Sequence, residues 1–500
     1  MAHTTETERS KGQPVSLPGT LEAGRRMPFE HPHPWYAAQM KDNRWLRYRA
    51  IQDGMERPED LKKYLPQFPY ELDNLYEHRI RNSYFLGGSN TAVERLVGAV
   101  FAAEPNFRSE ADSVVSWVDD IDGEGTSLRD WVEELSGEAN WMGAAFAVIT
   151  KPAAPDGVEV LTEMDEMILD LRRPVVESLK VEDVPAWGFD DRGGIAWVAV
   201  RQTVARQESP TAARLLVERW RVFDRVAINV YERPIDPDTG AADEDEVLTH
   251  RGMIEHGLGV LPVVPIYGRF RQKMQGESFI KGASRADVAK LLEDSWGSQI
   301  RNTHANPILA LSSDRDVSSI YIGGNVVRLE PDEEMKYIPQ PSLPFDARDK
   351  AAEKFTHEAI AQTGSNPSFT SSGTTRRGES GVAQQTRFSQ TEKRHILAHT
   401  RRLEMAATRL MDLAEMILED RTMRELGANH AQFFNTFEVF ELEGLARVYN
   451  SIAPSIDSDT FHAEMQTNLS MRLVADAPQE VRAKIRDEIA AAPSIEPNDV

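Results

Sequence analysis

Helical spacing of apolar positions dominates the first hundred residues after a polar N-terminus. In the stretch SNTAVERLVGAVF, apolar residues recur three and four positions apart, at Val93, Leu96, Val97 and Val100. That spacing puts them on one face of a helix. Ser89 or Asn90 is placed to cap its first turn. Residues 1 to about 34 are polar and contain the start of EHPHPW, and we predict a flexible N-terminal arm there.

The pattern changes to alternation between residues 150 and 270. Segments such as GGIAWVAVRQTVAR and ARLLVERWRVFDRVAINVYERP alternate apolar and polar residues and are rich in valine and aromatic residues. Such alternation predicts antiparallel strands joined as hairpins. The apolar run AAFAVIT just before them also has the character of a strand.

Helical patterns return in the second half of the chain. The segment GESFIKGASRADVAKLLEDSWGSQIRNTH predicts a helix of about seven turns, with one apolar stripe formed by Val288, Leu291, Leu292, Trp296 and Ile300. Short strands and turns follow, and then a second helix at FDARDKAAEKFTHEAIAQT. The longest helical pattern runs from VAQQT to MILED. Its heptad-like seam has Ile396, Leu403, Leu410 and Ile417 seven residues apart, with Ala406 and Leu413 between them.

A polar stretch separates the last two helices. Residues 364–381 read GSNPSFTSSGTTRRGESG, with Arg376 and Arg377 side by side. Loops of this length inside a domain are uncommon and are usually functional or disordered. We therefore predict a long, mobile, doubly basic loop between two helices.

Composition narrows the class of protein. The chain has 500 residues, too many for one core, so several domains are expected. No apolar run approaches the roughly 18 residues of a membrane span, and no membrane partner is predicted. The net charge of −23 argues against a conventional DNA-binding protein, since phosphate neutralisation dominates such affinity. An acidic wall could instead keep a duplex from sticking, or the acidity could simply maintain solubility.

Sequence motifs for catalysis or ligand binding are weak. Ser278 and Lys281 match the S-x-x-K spacing of serine acyl enzymes without its companion motifs. His395 and His399 could share a helix face and bind a metal, but the arginines beside them disfavour a cation, so a surface or core role is favoured. The acidic loops at 119–125 and 236–247 lack the last calcium ligand. We therefore predict no catalytic residue, no cofactor and no metal, and expect that the chain is not an enzyme.

The order of these segments resembles the portal proteins of tailed bacteriophages. YLPQFPYELDNLYEHRIRNSYFLGGSNTAVERLVGAVFAAEP is similar to the N-terminal region of one portal family. GESFIKGASRADVAKLLEDSWGSQIRNTHANPILAL resembles the stem helix that leads into the clip. GGNVVRLEPDEEMKYIPQPSLPFDARDKAAEKFTHEAI resembles the return from the clip into the second stem helix. ESGVAQQTRFSQTEKRHILAHTRRLEMAATRLMDLAEMIL resembles the long helix after the tunnel loop.

This resemblance implies an α+β portal fold with an α/β wing, a helical stem, a small β-containing clip, a long helix after a tunnel loop, and a small C-terminal crown. The implied segments follow in chain order: arm 1–34, wing 35–274, first stem helix 275–305, clip 306–343, second stem helix 344–363, tunnel loop 364–381, long helix and wing return 382–440, and crown region with tail 441–500.

The resemblance also implies a function and partners. Portal proteins form a ring, usually of twelve copies, at one capsid vertex, and double-stranded DNA passes through it during packaging and ejection. The expected partners are the terminase motor, a head–tail adaptor and the major capsid protein, in the virion and in the host cytoplasm during assembly. The DNA-channel loop residues would be Thr374, Thr375, Arg376 and Arg377. The alternatives are another virion head–tail connector or baseplate subunit, or an enzyme with a helical lid.

Overall fold

A computed structural model describes residues 27–69, 71–152, 164, 171–206, 215–236, 248–305, 309–312, 334–337, 343–363, 381–434, 467 and 484. The chain divides into two compact units. Unit 1 comprises Met1–Trp45, Val93–Phe279 and Glu392–Val500, and unit 2 comprises Leu46–Ala92 and Ile280–Thr391. Residues 46–92, within the span predicted as the wing, therefore group with the helices of unit 2.

The helices are numbered in chain order over the described residues. They are α1 (Pro34–Lys41), α2 (Arg44–Gln52), α3 (Pro58–Tyr64), α4 (Asp73–Asn82), α5 (Gly88–Val100), α6 (Asp112–Asp119), α7 (Leu128–Met142), α8 (Ala283–Ala305), α9 (Leu343–Gln362) and α10 (Gly381–Leu418).

The strands of the same residues are numbered likewise. They are β1 (Asn106–Arg108), β2 (Ala144–Thr150), β3 (Val175–Lys180), β4 (Ala186–Phe189), β5 (Ile195–Arg206), β6 (Leu215–Phe223), β7 (Ala227–Pro234), β8 (Thr249–Glu255), β9 (Val263–Tyr267), β10 (Arg269–Gln272), β11 (Gln275–Glu277), β12 (Leu309–Ser312), β13 (Glu334–Tyr337) and β14 (His430–Gln432).

Antiparallel strands pair within unit 1, as the alternating pattern predicted. Five strands pair in the order β4-β5-β6-β7-β8, and three pair in the order β3-β2-β9. Alternation is visible further along β5, where Arg201, Thr203 and Ala205 on one face are exposed and Gln202 and Val204 on the other are partly buried. The strand predicted from AAFAVIT is β2. The α+β class is thus confirmed.

The N-terminal residues that the structure describes pack against the five-stranded sheet, so the prediction of a flexible arm is wrong for 27–34. Phe29 is 2 % exposed and contacts the rings of Trp220 and Tyr231 at 5.7 and 5.1 Å. The ring of His33 stacks on Trp187 at 4.2 Å, and its Nδ1 accepts the N–H of Trp35. These three aromatic contacts hold in place a segment that has no periodicity of its own.

Helix α7 ends where three different groups satisfy its last carbonyls. Phe279 N–H donates to Asn140 O at 2.9 Å, the hydroxyl of Ser278 donates to Trp141 O at 2.6 Å, and Trp45 Nε1 donates to Met142 O at 3.0 Å. The chain then turns at Gly143, with φ 105°. Such carbonyls have no partner within their own helix, so these contacts fix the helix end.

The long helix predicted after the polar loop is α10, with 38 residues. Its seam is buried as predicted, at Ile396, Leu403, Ala406, Leu410, Leu413 and Ile417. The chain then returns along the helix through β14, which pairs with β1. On its other side, Ala431 N–H donates to Thr408 Oγ1 at 3.1 Å, and Phe433 N–H donates to Glu404 Oε1 at 3.2 Å. Helix side chains thus take the place of a third strand.

Several predicted regions lie outside the described residues. They are most of the predicted clip, the loop at 364–380, and almost all of the crown region from 441 onward. The functional meaning of the domain boundaries stays a prediction. Within the described chain, no helix combines the length and apolar character needed to cross a bilayer.

Candidate functional site

The helices α8 and α9 of unit 2 form an antiparallel pair. At one end, the side chain of Gln362, the last residue of α9, lies so close to Gly282 that a Cβ there would meet its Cβ at 3.2 Å. In the chain between the two helices, β12 pairs with β13 in antiparallel register, from Leu309 opposite Tyr337 to Ser312 opposite Glu334. The chain therefore runs out along one helix and back along the other, through a two-stranded ladder.

Polar side chains occupy the buried face of α8, which differs from the predicted stripe. Ser284, Asp287, Leu291 and Ser295 are buried at helical spacing, whereas Trp296 is 38 % exposed. The helix was predicted correctly, and Leu291 of the predicted stripe is buried, but the rest of the inward face is polar. A buried polar group costs free energy unless it is hydrogen-bonded. Each polar residue on this face therefore needs a partner elsewhere in unit 2.

Asp287 finds its partner at the first turn of α5. Its Oδ1 accepts the N–H of Gly88 at 2.8 Å and its Oδ2 accepts the N–H of Ser89 at 3.1 Å. Burial raises the pKa of this carboxyl, while the bonds from Ser89 and Gly88 oppose the rise. A carboxylate at a helix N-terminus is stabilised by the helix dipole. The cap predicted from Ser89 or Asn90 is thus supplied by another helix.

The same turn of α5 lies against the end of α9. A Cβ on Gly88 would lie 3.3 Å from Ala359 Cβ and 3.3 Å from Ile360 Cγ1. Ala359 and Ile360 are 0 % and 2 % exposed. The start of α5 therefore contacts both α8 and α9 at one junction, and small residues allow this close approach.

Arg79 of α4 meets the third polar position of α8. Its guanidinium donates to both carboxylate oxygens of Glu71 at 2.8 Å, to Ser295 Oγ at 3.2 Å and to Pro66 O at 2.9 Å. The side chains of Arg79 and Glu71 are 2 % and 3 % exposed. A buried ion pair is tolerated when such bonds satisfy it, and here they join α4, the Pro66–Glu71 turn and α8.

Aromatic rings cover the same arginine. Its Cζ lies 4.2 Å from the ring centroid of Phe68 and 5.3 Å from that of Tyr76, and the ring of Phe68 lies 4.8 Å from that of Trp296.

The surface near α4 also carries exposed apolar side chains. Leu72, Leu86 and Tyr84 are 64 %, 60 % and 58 % exposed. Exposed apolar groups of this size often mark interaction surfaces.

The four residues predicted to form the DNA-channel loop lie outside the described residues. Thr374, Thr375, Arg376 and Arg377 fall in the stretch 364–380, just before α10 begins.

Of the two acidic loops, the second has Asp238 outside the described residues. In the first acidic loop, Asp120 accepts the N–H groups of Gly123 and Gly125 at 2.7 and 3.1 Å. Among the residues with described side chains, no three potential ligands converge as a metal-binding group.

One histidine of the pair on α10, His399, lies in the core of unit 1. His399 is 1 % exposed, and its Nε2 lies 2.8 Å from Ser136 Oγ and 3.0 Å from Asn140 Nδ2. Burial, followed by the nearby charge of Arg402, lowers its pKa to about 3. The ring is therefore neutral at pH 7, and its buried polar contacts link α10 to α7. The prediction favoured a surface or core role, and for His399 the core role holds.

Ser278 has a position that the S-x-x-K spacing did not indicate. It is 4 % exposed, and its hydroxyl donates to the carbonyl of Trp141 at the end of α7. The residues that organise the helix junction, Asp287 and Arg79, carried no motif. Their polar neighbours on α8 do recur at helical spacing, but such a pattern ordinarily indicates the solvent face of a helix and not a buried one.

Comparison with known proteins gives structural matches only. No family model matches this chain, and no curated protein matches it. It is similar to a chain in the neck of an empty GTA particle computed with C6 symmetry, at 10% identity and a TM-score of 0.42, over 75% of this chain and 89% of that one.

Two further solved structures are similar to the chain. One is a chain in the virion of a native gene transfer agent (GTA) particle, at 11% identity and a TM-score of 0.39, over 86% of this chain and 98% of that one. The other is a chain in the neck of a native GTA particle computed with C12 symmetry, at 11% identity and a TM-score of 0.38, over 81% and 94% respectively.

Proposed function

We propose that the protein is a portal protein: many copies form a closed ring at one vertex of a phage-like capsid, and double-stranded DNA passes through the ring. The observation that carries this proposal is the antiparallel pair α8–α9 with its β ladder, which interrupts the chain of unit 1 between Phe279 and Glu392. This order of mixed sheets, helix, small ladder, helix and 38-residue helix is what the portal resemblance implies.

A ring also explains features that one copy leaves without a role. A single chain of 56.2 kDa cannot enclose a duplex about 20 Å across, but a head-to-tail interface that closes on itself does so. The exposed apolar side chains near α4 would be covered by a neighbouring copy. The buried polar contacts of α8 would keep α8 and α9 in one register when mechanical force acts on the ring.

Other segments of the chain would contact the DNA and the partner proteins. The stretch 364–381 would reach the DNA, where Arg376 and Arg377 would make weak, exchangeable phosphate contacts. The acidic remainder of the wall would keep the duplex from binding tightly, since like charges repel. The chain between α8 and α9 would present to the terminase motor and then to a head–tail adaptor. The major capsid protein would surround the ring in the virion.

A DNA-retention experiment tests the channel part of the proposal. We expect filled heads that carry Arg376→Ala and Arg377→Ala to lose DNA more readily than wild-type heads. The matched control replaces two exposed arginines of unit 1, Arg192→Ala and Arg424→Ala, and should retain DNA normally. Unchanged packaging and retention in the loop variant would remove the proposed role of the two arginines. End-on images by negative stain separate a holed portal ring from a solid connector or baseplate subunit.

A further inference from the structure

Two segments of unit 1 that lack acidic residues meet in the fold. No Asp or Glu occurs between Glu255 and Glu277, nor between Glu392 and Glu404. In a chain of net charge −23, both stretches are basic. The first includes β10, and the second belongs to α10. We name the basic side chains of these two stretches that the structure describes the basic cluster. They are Arg269, Arg271, Lys273, Arg394, Arg401 and Arg402.

Direct contacts place the two segments side by side. Arg402 on α10 donates from Nη1 to the backbone carbonyl of Gly268 at 2.7 Å. Arg269 lies with its Cζ 5.0 Å from the ring centroid of Phe279, and that ring contacts His395 of α10 at 6.3 Å. The N-terminal half of β10 therefore lies against the part of α10 that carries the arginines.

The cluster keeps its positive charge. Arg402 and Lys273 donate to backbone carbonyls, of Gly268 and Gly193, and a carbonyl does not neutralise a cation. Glu277 lies opposite Arg269 in the β10–β11 ladder and offsets part of its charge. Arg271, Arg394 and Arg401 are exposed. The remaining excess of cations faces solvent.

The neighbouring histidine reports the same positive potential. Burial lowers the pKa of His395, and the charges of Arg269, Arg394 and Arg402 lower it further. Burial also lowers the pKa of Arg402, followed by the charge of Arg269. These groups therefore interact electrostatically. At pH 7 the arginines and the lysine carry the charge of the cluster, and the histidine does not.

We propose that the basic cluster binds the phosphodiester backbone of duplex DNA, in addition to the contacts proposed for Arg376 and Arg377. Cations spread over a strand and a helix suit a row of phosphates better than a single small anion. Duplex DNA carries one negative charge per about 1.7 Å of its axis. Backbone contacts of this kind position DNA without reading its sequence. The choice of DNA as the ligand rests on the proposed function.

Neutralising the exposed members of the cluster tests the site. The variant Arg271→Gln/Arg394→Gln/Arg401→Gln leaves the packed Arg269 and Arg402 in place. The control Lys180→Gln/Arg192→Gln/Arg424→Gln removes the same number of exposed charges from unit 1. Binding of a short labelled duplex to the purified full-length protein is measured by fluorescence anisotropy at several KCl concentrations. Sedimentation velocity on the same samples reports the assembly state.

The cluster variant should bind the duplex more weakly, and its salt dependence should flatten. The slope of log K against log[KCl] falls by about 0.9 for each phosphate that the protein no longer neutralises, so by about 2.7 when all three arginines pair with phosphates in the wild type. The control should behave like wild type. The site is overturned if the wild-type protein binds no duplex at low salt, or if the two triple variants bind alike.

The assembly data separate this inference from the proposed function. A variant that loses its ring but not its affinity for DNA would assign the cluster to contact with an acidic surface of another copy, and would overturn the DNA site. A wild-type protein that stays monomeric yet shows cluster-dependent DNA binding would refute the ring and keep the site. A ring with no cluster-dependent binding would refute the site alone.

Discussion

The carboxylate of Asp287 on α8 caps α5 by accepting the N–H of Gly88 at 2.8 Å, although the two residues are 199 positions apart. The side chain is completely buried, and Oδ2 takes the next N–H of the same turn. A side chain from a different helix thus sets where α5 begins. This contact ties the first part of unit 2 to the helix pair that the proposed function needs.

Removal of this cap should destabilise the protein. In Asp287→Ala, two buried N–H groups lose their acceptors, and we expect a loss of about 2 to 3 kcal/mol in the free energy of unfolding. Asp287→Asn keeps an acceptor oxygen and should lose less. Denaturant unfolding followed by circular dichroism measures the difference. Arg285→Ala, an exposed change on the same helix, is the control and should change little. An alanine variant as stable as wild type would contradict the capping role.

The buried pair of Arg79 and Glu71 should show strong coupling. Replacing either residue by methionine leaves an unpaired buried charge, at a cost of about 3 to 5 kcal/mol. Replacing both removes the two charges together, so the double variant should cost clearly less than the two single changes combined. A double-mutant cycle of unfolding free energies measures this coupling.

An exposed pair in the same unit provides the control for that cycle. Lys62 and Glu77 lie 2.7 Å apart, but their side chains are 44% and 45% exposed. Solvent screens such a pair, so Lys62→Met should leave the stability unchanged within error. Simple additivity of the two changes at Arg79 and Glu71 would show that the buried pair does not act as a unit.

The buried imidazole of His399 should make the protein sensitive to acid. Its pKa is lowered from 6.5 to about 3 in the folded state, so between these values the unfolded chain binds a proton that the folded chain does not. Its contribution to stability is therefore complete above pH 6.5 and falls as the pH drops below it. At pH 5 the loss should be about 2 kcal/mol relative to pH 7.5.

Comparison of variants isolates this effect from that of other acidic groups. His399→Gln keeps a polar group near Ser136 and Asn140 but cannot titrate, so its unfolding free energy should vary less between pH 7.5 and 5 than that of wild type. His430→Gln, at an exposed position on β14, should follow the wild-type profile. Identical pH profiles for the His399 variant and wild type would refute the assignment.

Periodicity alone predicted much of the fold. The seven-residue spacing of Ile396, Leu403, Leu410 and Ile417 indicated α10 and its buried seam, because a long amphipathic helix needs no distant partner to show its pattern. The alternating segments indicated the antiparallel strands. Phe29 was missed because one apolar residue in a polar stretch has no period, and its burial depends on rings nearly two hundred residues away.

The candidate site was harder to predict for a related reason. A sequence pattern places polar residues such as Asp287 and Ser295 on the solvent side of a helix. Here they face inward because Gly88 and Arg79 satisfy them, and nothing local in the sequence indicates those partners. The predicted loop residues, Arg376 and Arg377, lie outside the described residues, and their role stays a prediction.

Cryo-microscopy of the purified full-length protein shows whether its copies assemble around an axial bore. We expect a closed ring of identical copies around an open bore wide enough for duplex DNA, with α8 and α9 running along the axis and the 364–381 stretch reaching toward the bore. Particles that remain single copies, or a ring in which that stretch lies on the outer rim, would contradict it.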